Sequence, residues 1–368
     1  MAGPKWSDFG NIWNTLRELD VSAIRDEAER VCTIACVGHS AALDELDRLL
    51  HSGAARYPAA GPNPLEIIPL DQAAARAGDI RSADLLLVTI DSRTALSQGE
   101  LDAFVRLEDL TTPFLLAIVH GDRPASGSDL PRLLLAHTVA LPDPAALDAS
   151  DRLAAAILER LPGELHLSAA RKLPGLRATF ARELINTTAF TNATYALASG
   201  LPEQIPIISV PFAAADMLVL TKNQALLVYR LALAHGAQPD FAARIREVVP
   251  VVGGAFLWRQ AARSLVGLIP IWGLVPKVAI AYAGTYTTGV TAWRWYATGE
   301  IVSTDQVKRM TQESLALGRR RAEEIIGRAR EVQAQARQRT GGLRGWFRRL
   351  LDRLPGRRKN RELTPPNT

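Results

Sequence analysis

The chain has few of the residues that hold small secreted domains or metal centres together. Of its 368 residues, only two are cysteine and six are histidine. Cys32 and Cys36 lie in one apolar run, which favours two buried thiols in a reducing compartment over a disulfide framework. The histidines are scattered, so no metal site is predicted. Met1 to Asp20 is amphipathic and has no apolar core segment, so we expect a helix over residues 1–20 and no signal peptide.

The chain also lacks a long uncharged run. Its most apolar stretch, Ser264 to Trp293, contains one charge, Lys277, which leaves uncharged parts of 13 and 16 residues. As helices these parts measure about 20 and 24 Å, against about 30 Å of hydrocarbon in a bilayer. Arginines flank both ends, which favours two cytoplasmic ends. We predict a transmembrane helical hairpin, re-entrant or two-pass; a close-packed core without membrane contact is the alternative. Predicted membrane contacts here are Trp272, Trp293 and Trp295.

An intact phosphate-binding motif is absent as well. An apolar strand, Val31–Val37, runs into Gly38, a short loop and a helix, as in proteins with the motif G-x-x-x-x-G-K-[ST]. Counted from Gly38, the second glycine, the lysine and the hydroxyl fall on Leu43, Asp44 and Glu45. Lysine would neutralise a phosphate, whereas two carboxylates repel it. The sequence therefore predicts a degenerate P-loop-like scaffold without catalytic residues.

Residues 21–162 alternate between apolar runs and helix-like segments. This pattern predicts a doubly wound, mostly parallel sheet whose ligands bind at the carboxyl ends of the strands. The predicted strands are Val31–Val37, Leu65–Leu70, Leu85–Ile90, Phe114–Val119 and His137–Leu141.

The segment after the fourth strand stands where a small GTPase carries Asn-Lys-x-Asp to read guanine. Asp122 could take the place of the aspartate, but Val119 and His120 hold the other two positions. Residues 21–162 thus resemble a small-GTPase domain in strand order and spacing, with altered nucleotide motifs. An unrelated doubly wound domain is the alternative.

Residues 163–304 read as apolar helices interrupted by prolines and glycines. The runs Ala170–Arg177, Asp216–Gln224 and Tyr296–Gly299 resemble an uncharacterised domain family found fused to, or encoded beside, bacterial small GTPases. The resemblance implies an apolar, membrane-associating helical domain with no established activity. It also implies a protein partner, which could be a GTPase.

One helix in this region carries a polar stripe. Asp216, Asn223 and Arg230 are spaced by seven and so share a helix face. Two readings stay open: a buried hydrogen-bonded ladder that fixes helix packing, or a contact site for a partner. Thr221 and Gln224 belong to the same candidate site.

The C-terminal region is strongly basic. Arg319–Glu362 holds 15 basic and 5 acidic residues, a local charge of +10, so the rest of the chain sums to −5. We predict a charged helix over 305–340 and a basic amphipathic helix with a disordered end over 341–368, suited to an anionic membrane surface. Docking onto the body of the protein is an alternative, whereas nucleic acid is not expected because no base-reading fold accompanies the segment. Predicted surface contacts are Trp346, Phe347, Arg348 and Arg349.

These features predict a non-enzymatic, membrane-associated accessory or regulatory protein without a cofactor. Its expected place is the cytoplasmic face of a bacterial inner membrane, in contact with inner-leaflet lipid. An atypical GTP-binding protein, requiring GTP and Mg²⁺, is the first alternative. A soluble interaction scaffold is the second.

Overall fold

The computed structural model describes residues 19–53, 56–108, 112–125, 130, 135–198, 210–252, 274–303, 305–307, 309–310, 312–328 and 331. The predicted N-terminal helix therefore lies outside these residues, apart from its last two positions. The basic segment 341–368 lies outside them entirely.

Five parallel strands form one sheet, which confirms the predicted parallel α/β architecture. The strand order is β2-β1-β3-β4-β5, the flavodoxin-like order of doubly wound folds. The three central strands, β1, β3 and β4, are almost wholly buried because both faces of the sheet are covered, which explains their continuous apolar sequences. The edge strands β2 and β5 are partly exposed. Their bounds are Ile34–Gly38 (β1), Leu65–Pro69 (β2), Leu85–Asp91 (β3), Phe114–Val119 (β4) and Thr138–Leu141 (β5).

Helices cover the two faces of the sheet. On one face, Leu43 and Leu46 of α2 pack in the same apolar cluster as Cys36 of β1. On the other, Ile80 of α3 and Phe104 of α4 pack against alternate strand residues. The α/β part contains α1 (Ser22–Glu29), α2 (Ser40–His51), α3 (Ala77–Ser82), α4 (Gln98–Glu108) and α5 (Ala149–Arg160).

The second part of the chain is helical. Its helices are α6 (His166–Lys172), α7 (Arg177–Ala198), α8 (Val210–Ala234), α9 (Phe241–Val252) and α10 (Leu274–Thr298). Residues 312–328 are also helical. Helix α10 packs against α7, α8 and α9, and Gly289 lets it approach Ile185 and Leu227 closely. One apolar cluster continues from the sheet to Tyr296, so the two parts share a core.

The predicted transmembrane helix is wrong. Throughout the described residues, every helix is too short or too polar to cross a bilayer. The second half of the predicted hairpin belongs to α10, whose buried surface carries hydroxyl groups that bind other helices. Thr287, for example, donates a hydrogen bond to Ser314 over 3.2 Å. Residues 264–273, including Trp272, lie outside the described residues.

Two of the tryptophans predicted to contact lipid, Trp293 and Trp295, have contacts within the protein. The guanidinium of Arg56 lies 4.0 Å from the ring centre of Trp295, and the indole N–H of Trp295 donates to Glu247 over 3.3 Å. Trp293 packs against the shared core. The low charge of α10 is thus explained by its packing among other helices.

Candidate functional site

The candidate site lies where the strands end. In a sheet of this order, the connections leave in opposite directions between β1 and β3, and ligands of doubly wound sheets bind beside that point. We call this surface the carboxyl edge, made of residues 38–45, 69–73, 91–100, 119–125 and 141–145.

A crevice of about 390 Å³ opens at the carboxyl edge. Its walls come from the ends of β1 and β2 and from the start of α4, so three consecutive β–α connections contribute to it. Carboxylates, small polar groups and apolar side chains are mixed in the lining. The lining residues are Gly38, His39, Ser40, Pro69, Leu70, Asp71, Ser97, Gly99, Glu100 and Ala103.

The connection from β1 to α2 is too short to wrap around a phosphate. Gly38 ends the strand and Ser40 begins the helix, so His39 alone links them. Glycine is required at position 38 because a β-carbon there would collide with the carbonyl oxygen of Thr89. In a phosphate-binding loop, several successive backbone N–H groups curve around the anion. One linking residue does not provide that curve.

The residues counted onto the phosphate motif lie within α2. Leu43 is buried in the core and Asp44 is exposed. Glu45 forms an ion pair with Arg48, whose hydrogen bond to Glu45 is the main reason that the pKa of that carboxyl lies below its usual value. None of the three side chains could neutralise a phosphate.

At the crevice, a contact between the side chains of His39 and Glu100 connects the start of α2 to the start of α4. The Nε2 atom of His39 lies 2.6 Å from Oε1 of Glu100. Glu100 also accepts hydrogen bonds from the backbone N–H and the hydroxyl of Ser97, at 2.7 and 2.6 Å, the reciprocal capping box of a helix N-terminus. The Ser97 hydroxyl, the Ser97 N–H and His39 together lower the pKa of Glu100 to about 2. Glu100 is therefore a carboxylate at neutral pH.

The end of β3 carries a carboxylate that is already bound. Asp91 is 8% exposed and accepts hydrogen bonds from the guanidinium of Arg93, the shortest over 2.6 Å. These bonds are the main reason that the pKa of Asp91 is lowered. An Asp91 carboxylate paired in this way does not offer a free ligand to Mg²⁺.

After β4, the backbone turns sharply. His120 has φ of 60°, a left-handed conformation that is uncommon outside glycine. Gly121 follows because a β-carbon there would collide with the side chain of Ser92. Asp122 is exposed, and among the described residues its carboxylate has no hydrogen bond that would aim it at a guanine base.

The carboxyl edge is acidic as a whole. It contains seven carboxylates and two arginines, a formal charge of −5. One of the arginines, Arg93, is bound to Asp91. The exposed carboxylates belong to Asp44, Asp71, Asp122 and Asp143. A polyanion approaching this surface is repelled.

The second candidate site, on α8, forms part of a network between helices. Asn223 donates to Asn192 of α7 over 2.7 Å, and Asn192 donates to Thr285 of α10 over 2.8 Å. Gln224 also reaches Thr285, at 3.3 Å. Three helices are thus joined through buried or half-buried polar groups. Sequence reasoning missed Asn192 and Thr285, although an asparagine within an apolar helix was a usable signal.

The other predicted residues of α8 are Arg230, Thr221 and Asp216. Arg230 forms an ion pair with Glu27 of α1 at 2.8 Å, which ties the helical part to the α/β part. Thr221 is half-buried. Asp216 lies in α8, but its side chain is not described. The predicted surface contacts of the tail, Trp346, Phe347, Arg348 and Arg349, lie outside the described residues.

The motif Ala170–Arg177 forms a junction between the two parts. Its cations are buried and bind backbone carbonyl groups. Arg171 donates to the carbonyls of Leu233 and Ala237, both over 2.8 Å. Arg177 donates to Tyr57 over 3.0 Å and to Pro58 over 3.2 Å. The basic residues of this motif thus have structural partners.

The described residues contain no group of three or more His, Cys, Asp or Glu side chains that could hold a metal ion. At the carboxyl edge, one residue links β1 to α2, and Asp44 and Glu45 stand where a phosphate-binding motif carries its lysine and hydroxyl. Comparison with known proteins found no family model and no curated protein that matches this chain.

Proposed function

We propose that this chain is a non-enzymatic accessory or regulatory protein. Its α/β part would act as a GTPase-like binding module without nucleotide chemistry, and its helical part as a platform for a protein partner. The observation that carries the proposal is the carboxyl edge. There, a single residue links β1 to α2, and carboxylates stand where a triphosphate needs N–H donors and a lysine.

Electrostatics supports the absence of nucleotide chemistry. Phosphoryl transfer depends on cations that neutralise charge developing on the transferred group. At the crevice, Asp71 and Glu100 contribute two carboxylates, and the Arg93 guanidinium is held by Asp91. A nucleotide would therefore meet like charge at the point where catalysis needs opposite charge.

The helical part supports a role in protein contact. Its resemblance to a family associated with bacterial small GTPases suggests a GTPase as the partner. The α/β and helical parts share a core, and the ion pair between Arg230 and Glu27 adds a polar link. A partner that binds one part would therefore bind a surface whose position relative to the other part is fixed.

The test is a titration of the full chain with a fluorescent GTP analogue, with and without Mg²⁺. We expect no saturable binding below about 1 mM, which corresponds to less than about 4 kcal/mol of binding free energy. Asp122→Asn is the control, because a base-reading aspartate would be sensitive to that change. Micromolar, magnesium-dependent binding that Asp122→Asn abolishes would contradict the proposal and favour an atypical GTP-binding protein.

A further inference from the structure

The carboxyl edge has negative charge available for a partner. Asp44, Asp71 and Asp122 are exposed and form no ion pair within the described part of the chain. The cation at the end of β3, Arg93, is held by Asp91 through three hydrogen bonds. The surface is therefore complementary to a cationic occupant.

The crevice adds apolar surface at the centre of this acidic rim. Pro69 and Leu70 form part of one wall, and Gly99 and Ala103 of α4 form part of another. A cavity of about 390 Å³ admits an aromatic side chain, whose burial between apolar walls is favourable. An occupant that fits both features carries several positive charges and at least one aromatic residue.

The chain itself contains a segment with this chemistry. Residues 343–361 hold eight basic residues and one acidic residue, a formal charge of +7. Trp346 and Phe347 stand directly before Arg348 and Arg349. A helical arrangement would place the aromatic residues and leucines on one face and the arginines beside it.

We propose that residues 343–361 dock on the carboxyl edge, with their arginines against its carboxylates and an aromatic side chain in the crevice. In this arrangement the basic segment would cover the acidic surface. This inference deepens the proposed function, because it names the occupant of a surface that does not hold a nucleotide. Its test does not involve GTP, so its failure leaves the nucleotide result standing.

A disulfide cross-link in the full chain tests the docking. The native thiols do not interfere, because Cys32 and Cys36 are buried and burial raises their pKa values to about 11 and about 12. Gln98→Cys, exposed at the start of α4, is combined with Gly345→Cys. The matched control combines Gly345→Cys with Glu164→Cys, an exposed position after α5 at the opposite edge of the sheet.

We expect the Gln98 pair to oxidise at least about tenfold faster than the Glu164 pair, because docking raises the effective concentration of the two thiols. Gel mobility separates cross-links within one copy from those between two copies, and either product supports docking on this edge. Equal rates for the two pairs would overturn the proposal.

A charge swap separates docking from chance collision. Asp71→Lys with Asp122→Lys, or Arg348→Glu with Arg349→Glu, should each reduce the rate for the Gln98 pair to that of the control. Combining the two reversals should restore most of the rate. Asp71 and Asp122 are both exposed, so changing them leaves the buried core intact. If neither reversal changed the oxidation rate of the Gln98 pair, or if the combination did not restore that rate, the proposal would also be overturned.

Discussion

At the scale of single residues, His235 is an ionisable group in an apolar setting. It lies directly after α8, is 1% exposed, and its ring is 6.4 Å from that of Tyr296. Its Nδ1 atom lies 2.8 Å from the carbonyl oxygen of Leu231 and acts as the donor, because a carbonyl only accepts. Burial, with a smaller contribution from the Arg177 charge, lowers the pKa of His235 to about 4.

This pKa predicts an acid-sensitive stability. The unfolded chain binds a proton at His235 near pH 6.5, whereas the folded chain does so only near pH 4. Stability from this residue is therefore complete above pH 6.5 and falls as the pH drops towards 4, by about 2–3 kcal/mol. Urea unfolding at pH 7, 5.5 and 4.5 measures this loss.

His235→Gln should flatten that part of the profile, although the variant is less stable at pH 7. His51→Gln, at a more accessible histidine in α2, should leave the slope close to that of the parent chain. Parallel profiles for the parent and His235→Gln would show that another group causes the loss.

At the scale of elements, buried cations hold the end of α8 against the α/β part. The last carbonyl groups of a helix have no partner within it and carry negative potential. Arg171 supplies donors to two carbonyls at this end. Arg177 donates hydrogen bonds to the backbone of the segment before β2, at Tyr57 and Pro58. Burial lowers the pKa of Arg177 to about 10. Hydrogen bonds to backbone carbonyls offset part of the cost of burying these charges.

Removing one of these cations should destabilise the whole chain. Arg177→Met removes the guanidinium that donates to four carbonyl groups, of which that of Arg171 keeps the Ala60 N–H as a donor. Each buried group left unpaired costs about 1–3 kcal/mol. With partial relaxation, we expect a loss of about 3–5 kcal/mol in the free energy of unfolding. Arg182→Met on the same helix is the matched control, because that exposed pair with Asp151 contributes less than about 1 kcal/mol. Similar losses of unfolding free energy for Arg177→Met and Arg182→Met, measured in urea, would contradict a stabilising role of Arg177 at the junction.

The elements also show what sequence reasoning reached and what it missed. The five strands follow from continuous apolar runs, because a sheet covered on both faces excludes polar residues. Motif counting from Gly38 places the lysine and hydroxyl positions of a phosphate-binding motif on Asp44 and Glu45, which lie inside α2. Motif spacing alone does not show how short the connection before the helix is. Low charge alone predicts a membrane segment at α10, because the partners of its threonines, Asn192 and Ser314, lie far along the chain and leave no local signal. The pair Arg230–Glu27, 203 residues apart, carries no local signal.

At the scale of the whole molecule, charge is segregated. The carboxyl edge has a formal charge of −5, while Arg319–Glu362 has +10, in a chain whose total is +5. An acidic face repels polyanions and attracts basic segments over about a Debye length, which is about 8 Å at physiological ionic strength. This segregation of charge supports the proposed docking of residues 343–361 on the carboxyl edge.

The central claim is that the carboxyl edge does not hold a nucleoside triphosphate. Hydrogen exchange of the full chain, with and without saturating Mg-GTP, tests it at the backbone amides of residues 38–41 and 119–123. We predict the same exchange rates in both conditions, because no N–H groups there are arranged around a phosphate. Slower exchange of both segments with Mg-GTP, reversed when Mg²⁺ is removed, would contradict the claim.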